Sequence, residues 1–253
     1  MIKQLYKQFV SERTRNNVRI RLRKAVTPFY SGDKYFCNCC NRSFRKFLPK
    51  GNVKRSNAQC PNCGSLERTR ILKFYLENET SLFKNDLKVL HVAPEDCLFK
   101  IFKKLNIEYV DGDINEANAT HLIDLTEIPY SENYFDLIIC SHVLGHIPDE
   151  ARAIREMRRV LKEDGTALMM TLIDLNSEIT LEDKSVNSDS QRLLNYGEFD
   201  LCRLHGLDFD QRLKSEGFKV ETIDYSETLP KEYAERYQLG DGSRELIFRC
   251  TKA

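Results

Sequence analysis

From residue 87 onward the chain alternates short apolar runs with amphipathic stretches. LKVLHVA (87–93), IEYVDGDI (107–114), THLIDL (120–125), FDLIICS (135–141) and TALMMTLI (166–173) have the length and residue type of strands. Residues 96–105 and 149–162 place apolar side chains at helical spacing between some of them, and 206–216 gives a further helix. Strands separated by helices predict an α/β fold with a mostly parallel sheet and right-handed crossovers. FKVETIDY (218–225) and RELIFRCT (244–251) add two late strands. Residues 174–205 are polar and aperiodic, and that length inside a compact domain predicts a lid or binding loop.

The N-terminal part follows other patterns. Ile2, Leu5, Tyr6, Phe9 and Val10 recur at helical spacing among Lys and Arg, which predicts a basic amphipathic helix over 1–27 ended by Pro28. Residues 33–66 are rich in Cys, Asn, Gly and basic residues and have weak periodicity, so something other than a core must hold them. Residues 67–83 predict a helix leading into the next domain. The expected division is a helix at 1–32, a small module at 33–66 and an α/β domain at 67–253 with a lid at about 174–205.

Composition narrows the class. The 253 residues are 41% hydrophobic and 30% charged, which excludes disorder and allows a sizeable core. No apolar run approaches the ~20 residues of a membrane span, and the N-terminus has no apolar signal-peptide core. A cytoplasmic protein is expected, and nine cysteines in a reducing compartment favour metal ligation over disulfides. The net charge of +1 hides an asymmetry: residues 1–79 carry 18 Lys/Arg against 5 Asp/Glu, the remainder 21 against 33. The basic third suits a phosphate-rich partner, or docks on the acidic remainder within the chain or in a homo-oligomer.

The cysteines supply the first chemistry. Cys37-x-x-Cys40 and Cys60-x-x-Cys63 are separated by 19 residues, the spacing of a four-thiolate zinc ribbon. Four thiolates leave no open coordination position, so this zinc is structural. Cys39 is an alternative to Cys40 with poorer spacing. Cys97, Cys140, Cys202 and Cys250 are scattered, as core or surface thiols are.

In an open parallel sheet, ligands bind beyond the C-terminal strand ends. The loop after the first strand, Pro94-Glu95-Asp96-Cys97, has no G-x-G-x-x-G, which argues against NAD and FAD. Asp113 ends the second strand, where a carboxylate accepts from both ribose hydroxyls. Asp124 ends the third, within reach of an adenine amine. The pair fits a nucleoside ligand without phosphates.

The order VLHVAPE, YVDGDI, IDLTEIPYSENYFDLIICSHVLGHIPD, MRRVLKEDGTALM resembles the class I S-adenosylmethionine-dependent methyltransferases, near the type 11 group. More narrowly it is similar to a bacterial subgroup with an N-terminal zinc ribbon, in the context of glycan or other small-molecule biosynthesis. Its CPxCGSxxRxR element is matched by residues 60–70 and its APE turn by Ala93-Pro94-Glu95. The resemblance covers about residues 35–253 and implies a seven-stranded Rossmann-like sheet whose last two strands form an antiparallel addition at one edge. It implies that His91, Ala93 and Glu95 line the methionine end of S-adenosylmethionine, that Asp113 and Ile114 hold the ribose, that Asp124 and Leu125 frame the adenine, and that Ser141 and His142 face the sulfonium.

A hydroxyl acceptor needs a base, and His is the first candidate. His142 and His146 follow the fourth strand and His205 ends the lid; each also has a bland alternative as a wall, a packing residue or, for His205, a surface residue. Gly145 stands where relatives have Glu. The lid reads Phe199-Asp200-Leu201-Cys202-Arg203 where relatives often have His-Asp-His-Val-Arg, so Asp200 and Arg203 remain and both histidines are gone. The expected function is methylation of a small molecule or a saccharide hydroxyl. The alternatives are an RNA methyltransferase gripping phosphates with the basic ribbon region, and a scaffold that binds the cofactor without catalysis.

Overall fold

The computed structural model describes residues 11–83 and 86–253. The predicted helix positions Ile2, Leu5, Tyr6, Phe9 and Val10 lie outside them. Helix α1 (Glu12–Val26) starts at Ser11, whose hydroxyl accepts the Thr14 N–H at 3.3 Å. A 3-10 turn, Thr27–Tyr30, follows, so the α-helix ends before Pro28.

Two antiparallel hairpins come next: β1 (Ser31–Cys37) with β2 (Arg42–Phe44), and β3 (Leu48–Lys50) with β4 (Arg55–Gln59). Helix α2 (Glu67–Glu79) is shorter than the predicted 67–83, because the chain turns extended at Thr80.

The main sheet contains β5 (Lys88–Val92), β6 (Glu108–Asp113), β7 (His121–Leu122), β8 (Phe135–Ser141), β9 (Leu161–Met170), β10 (Phe218–Ile223) and β11 (Ile247–Lys252). Their order is β10-β11-β9-β8-β5-β6-β7. β7, β6, β5, β8 and β9 are parallel, whereas β11 is antiparallel to both β9 and β10. The order reverses beside β5, which creates the crevice at its C-terminal end. β9 begins at Leu161, directly after helix α4 (Glu150–Val160) and five residues before the predicted start, with a register shift against β8.

The two sheet faces bury different sets. Leu90, Ile138 and Cys140 pack with α4 and α6 (Phe209–Ser215), through Ile154, Met157, Phe209 and Leu213. Val89, Leu137 and Ile139 pack on the opposite side with Ile71 and Leu76 of α2 and with Leu98 and Phe102 of α3 (Asp96–Phe102). The alternation is the period-2 pattern of a strand covered on both faces. The second core runs on into Tyr35, Phe44 and Phe47 of the hairpins, across the expected boundary at residue 66.

Residues 174–205 are more ordered than an aperiodic stretch predicts. They contain α5 (Asp189–Tyr196), begun by a Ser188/Gln191 capping box, and are tied down by the bridges Ile173↔His205 and Leu181↔Leu204. Polar side chains that look solvent-facing in sequence are here the anchors: Arg203 and His205 are each 1% exposed.

Candidate active site

Register brings the chemistry to one edge. Val92 pairs with both Gly112 and Cys140, and Asp113 pairs with Leu122. Ala93, Asp113, Asp124 and Ser141 therefore emerge at the C-terminal ends of adjacent strands. Two non-glycine residues at these ends have left-handed backbones, Ala93 (φ 47°) and His142 (φ 58°). Each is held by a hydrogen bond from its own N–H to a neighbouring strand, Ala93 to the Gly112 carbonyl at 2.8 Å and His142 to the Met170 carbonyl at 2.7 Å. Such strain persists only where the surroundings over-determine it, and it clusters at functional sites.

Three buried polar atoms near these ends have no partner: Glu95 Oε1, Ser141 Oγ and Arg68 Nε. Burial opposes the Glu95 charge, but the His91 hydrogen bond, the His91 ring and the Arg68 charge together hold this carboxyl below its usual range. Desolvation in turn lowers Arg68, with Glu95 opposing it. Unsatisfied buried donors and acceptors are costly, so this set calls for a ligand with complementary groups.

His91 does not face this space as expected. It is fully buried, its Nε2 donates to Glu95 Oε2 at 2.9 Å, and its Nδ1 takes the Tyr109 hydroxyl at 3.0 Å. It positions Glu95. Leu125 is likewise a core residue, 4% exposed. Asp113 accepts the Asn115 N–H at 2.8 Å, and Asp124 accepts the N–H and hydroxyl of Thr126. Ile114, Leu122 and Asp124 line an open concavity of about 780 Å³ beside the last parallel strand.

A second cavity of about 410 Å³ opens past β8 and β9. Its walls are the β3–β4 hairpin, the start of α2 at Arg68, the turn from His142 to His146, Thr171, the lid from Glu198 to His205, and Arg244. The catalytic candidates His142, His146, Arg203 and His205 all line it, and Asp200 lies beside His146. Their environments differ sharply. His142 Nε2 donates to the Arg244 carbonyl at 2.9 Å, and burial, then Arg68, push this imidazole well below its ordinary value, so it stays neutral. His146 is partly exposed and donates from Nδ1 to the Asp200 carbonyl at 3.3 Å. Arg203 is spent on structure: it donates to the carbonyls of Leu144, Ile147 and Pro148 and to Glu182.

His205 is not on the surface. Its Nε2 meets Glu150 Oε1 at 2.6 Å and its Nδ1 meets Thr171 Oγ1 at 2.8 Å. Burial opposes the Glu150 charge, but the His205 hydrogen bond, the His205 ring and the charges of Arg203 and Arg212 keep it an anion. An ionised carboxylate only accepts, so Nε2 carries a proton, and in the neutral ring Nδ1 then accepts from the Thr171 hydroxyl. Glu150 and Thr171 have no sequence signal for this role; an acid in a first helical turn reads simply as complementing the dipole.

Gly145 and Leu201, two of the departures from the resembled pattern, touch each other. A Cβ on Gly145 would lie 2.8 Å from Leu201 Cδ2, and the Gly145 carbonyl accepts the Cys202 N–H at 2.8 Å. The absence of a side chain at 145 leaves room for Leu201 against this turn.

The thiols of Cys37, Cys40, Cys60 and Cys63 lie within 4.8 Å of one another. Cys37 and Cys63 are 3.5 Å apart and Cys40 and Cys60 3.8 Å. A tetrahedral ion with Zn–S bonds near 2.3 Å needs S···S edges of about 3.8 Å, so the set fits zinc. Cys39 points away, its Sγ 3.8 Å from the Thr69 carbonyl.

The strand order, the antiparallel β11 and the crevice beside β5 define a class I methyltransferase fold. Residues 100–169, from within α3 to the end of β9, match the type 11 methyltransferase domain family. The ubiquinone/menaquinone biosynthesis C-methyltransferase UbiE of Francisella philomiragia is 42% identical over 65 residues, 26% of this chain and 22% of that protein. An uncharacterized protein of Methanocaldococcus jannaschii is 28% identical over 82 residues, 30% of this chain and 36% of its own length. The match thus spans little more than a third of these relatives at most. The solved structure of the cyclase SpnF superposes with a TM-score of 0.54 over 96% of this chain and 97% of that one at 13% identity, a likeness of fold. Over residues 100–169 the chain is similar to the type 11 methyltransferase domain family, within the class I methyltransferase fold that the sheet order defines. Among the described residues, no helix is long and apolar enough to cross a membrane.

Proposed function

We propose that the protein is an S-adenosylmethionine-dependent methyltransferase acting on a hydroxyl of a small molecule or saccharide. The observation that carries this is the set of unpartnered buried atoms on Glu95, Ser141 and Arg68 at the crevice, with Asp113 at the next strand end. Glu95 and Ser141 suit the donor's ammonium, Arg68 its carboxylate, Asp113 the ribose hydroxyls and Asp124 the adenine edge. The bound donor supplies a methyl group already made electrophilic by its sulfonium. The residues then have to align the acceptor and remove its proton.

His205 is the base this geometry favours. The acceptor hydroxyl passes its proton to Thr171 Oγ1 while Thr171 gives its own to His205 Nδ1, and the Glu150 carboxylate stabilises the resulting imidazolium. This arrangement replaces the lid histidines that relatives carry. The four-cysteine site is assigned a structural zinc.

Calorimetry of zinc-loaded protein with S-adenosylhomocysteine tests the donor site. Binding in wild type, weakened about tenfold or more in Asp113→Ala, is expected. Absence of heat in wild type removes the methyltransferase assignment.

A further inference from the structure

The β3–β4 hairpin is part of the cavity wall. Gly51 makes its tight turn (φ 103°), where a Cβ would lie 2.7 Å from the Val53 carbonyl. Asn52 at the tip donates to the Gly197 carbonyl at 3.2 Å, so the hairpin faces the lid across the cavity mouth.

The charges of that wall do not balance. Arg55 is paired with Glu67 at 2.9 Å, Arg244 with Glu198 at 3.5 Å and Arg203 with Glu182 at 2.8 Å. Lys50, Lys54 and Arg68 line the same cavity, and their side chains make no hydrogen bond or ion pair among the described residues. Partial desolvation, then Arg19, Arg68, Arg23 and Arg55, lower the Lys50 ammonium, so its charge is held against its surroundings. A nearby anion would relieve this cost. Arg68 lies beside Glu95 and His142 and serves the donor's carboxylate. Lys50 and Lys54 are left over on the acceptor side.

We propose that the hairpin is an acceptor-binding element whose Lys50 and Lys54 hold a phosphate or diphosphate group on a small acceptor. Calling this ligand the acceptor rests on the methyl-transfer reading; the anion site itself does not. The cavity, about 410 Å³ and walled by both hairpin and lid, suits a ligand of sugar-phosphate size rather than a nucleic-acid strand. The hairpin then has a purpose beyond stability: it presents two cations to the same cavity that Thr171 and His205 line. Lysine fits this task as a mobile point charge that follows a phosphate.

The test is calorimetric titration of the full zinc-loaded chain with inorganic pyrophosphate and, separately, with a single-stranded RNA oligonucleotide. Pyrophosphate should bind the wild type, and about tenfold or more weakly the doubly substituted Lys50→Ala/Lys54→Ala protein. Both lysines are exposed, so that variant should fold, and its affinity for S-adenosylhomocysteine should stay within about threefold of wild type. No pyrophosphate binding, or equal binding by the variant, overturns the proposal. So does RNA binding far tighter than pyrophosphate with a steep salt slope, which would mark a polyanion surface. If pyrophosphate binds normally but S-adenosylhomocysteine does not bind the wild type, the methyltransferase reading fails while the anion site stands.

Discussion

Glu245 illustrates how one buried group sets a pH response. It is 3% exposed, and its Oε2 accepts the N–H groups of Gly242 and Arg244. Burial, reinforced by Glu67 and Asp241 and opposed by those hydrogen bonds, pushes its carboxyl up to about 7 from 4.5. The unfolded chain releases this proton near pH 4.5 and the folded chain only near 7, so stability falls across that window and is level above it. Glu245→Gln should abolish this slope and be more stable at pH 8, by up to about 3 kcal/mol. Urea midpoints at pH 5 and 8 check it; parallel losses in both proteins would refute the assignment. At Gly145, alanine should cost about 1 kcal/mol by pressing on Leu201. Combined with Leu201→Ala it should cost less than the sum of the two single changes, since the residues are in contact. Thermal unfolding of the four proteins measures that coupling. The Asp113 position at a strand end was legible from pattern alone. The burial of His205 was not, because its partners Glu150 and Thr171 lie 55 and 34 residues away.

At the scale of elements, the ribbon makes the sharpest prediction. Its strands are three to seven residues long and it contributes only a few aromatics to the shared core, so the zinc proposed for its four thiols is expected to add to its folding. Native mass spectrometry should find one zinc per chain, kept in Cys39→Ser and lost in Cys40→Ser; the reverse would exchange their roles. The C-x-x-C spacing made this site readable, because knuckle geometry is local. The lid was readable only as a gap in periodicity. Its order comes from Arg203, which satisfies three backbone carbonyls from the turn after β8, and such a long-range anchor leaves no periodic trace.

In the whole molecule, Arg70 joins the modules. It is fully buried and donates to the carbonyls of Ala58 and Ser65 in the ribbon region, and to those of Tyr237 and Gln238 at the end of α7 (Lys231–Tyr237). With the core shared between ribbon and sheet, this predicts one cooperative unfolding transition. Arg70→Met should cost about 3 kcal/mol and speed hydrogen exchange in both the ribbon and α7. Faster exchange in one of them alone would show the two are not coupled through this side chain.

The sequence by itself determined the strand-and-helix order, the sheet class, the four-thiol spacing and the acids at the strand ends, because each depends on short-range periodicity or local turn geometry. Only the tertiary structure decided that His91 supports Glu95, that His205 belongs to a buried Glu150–His205–Thr171 chain, and that the β3–β4 hairpin walls the cavity past β8 and β9. Those relations depend on which distant groups are forced to satisfy one another once water is excluded, and no local pattern encodes that choice.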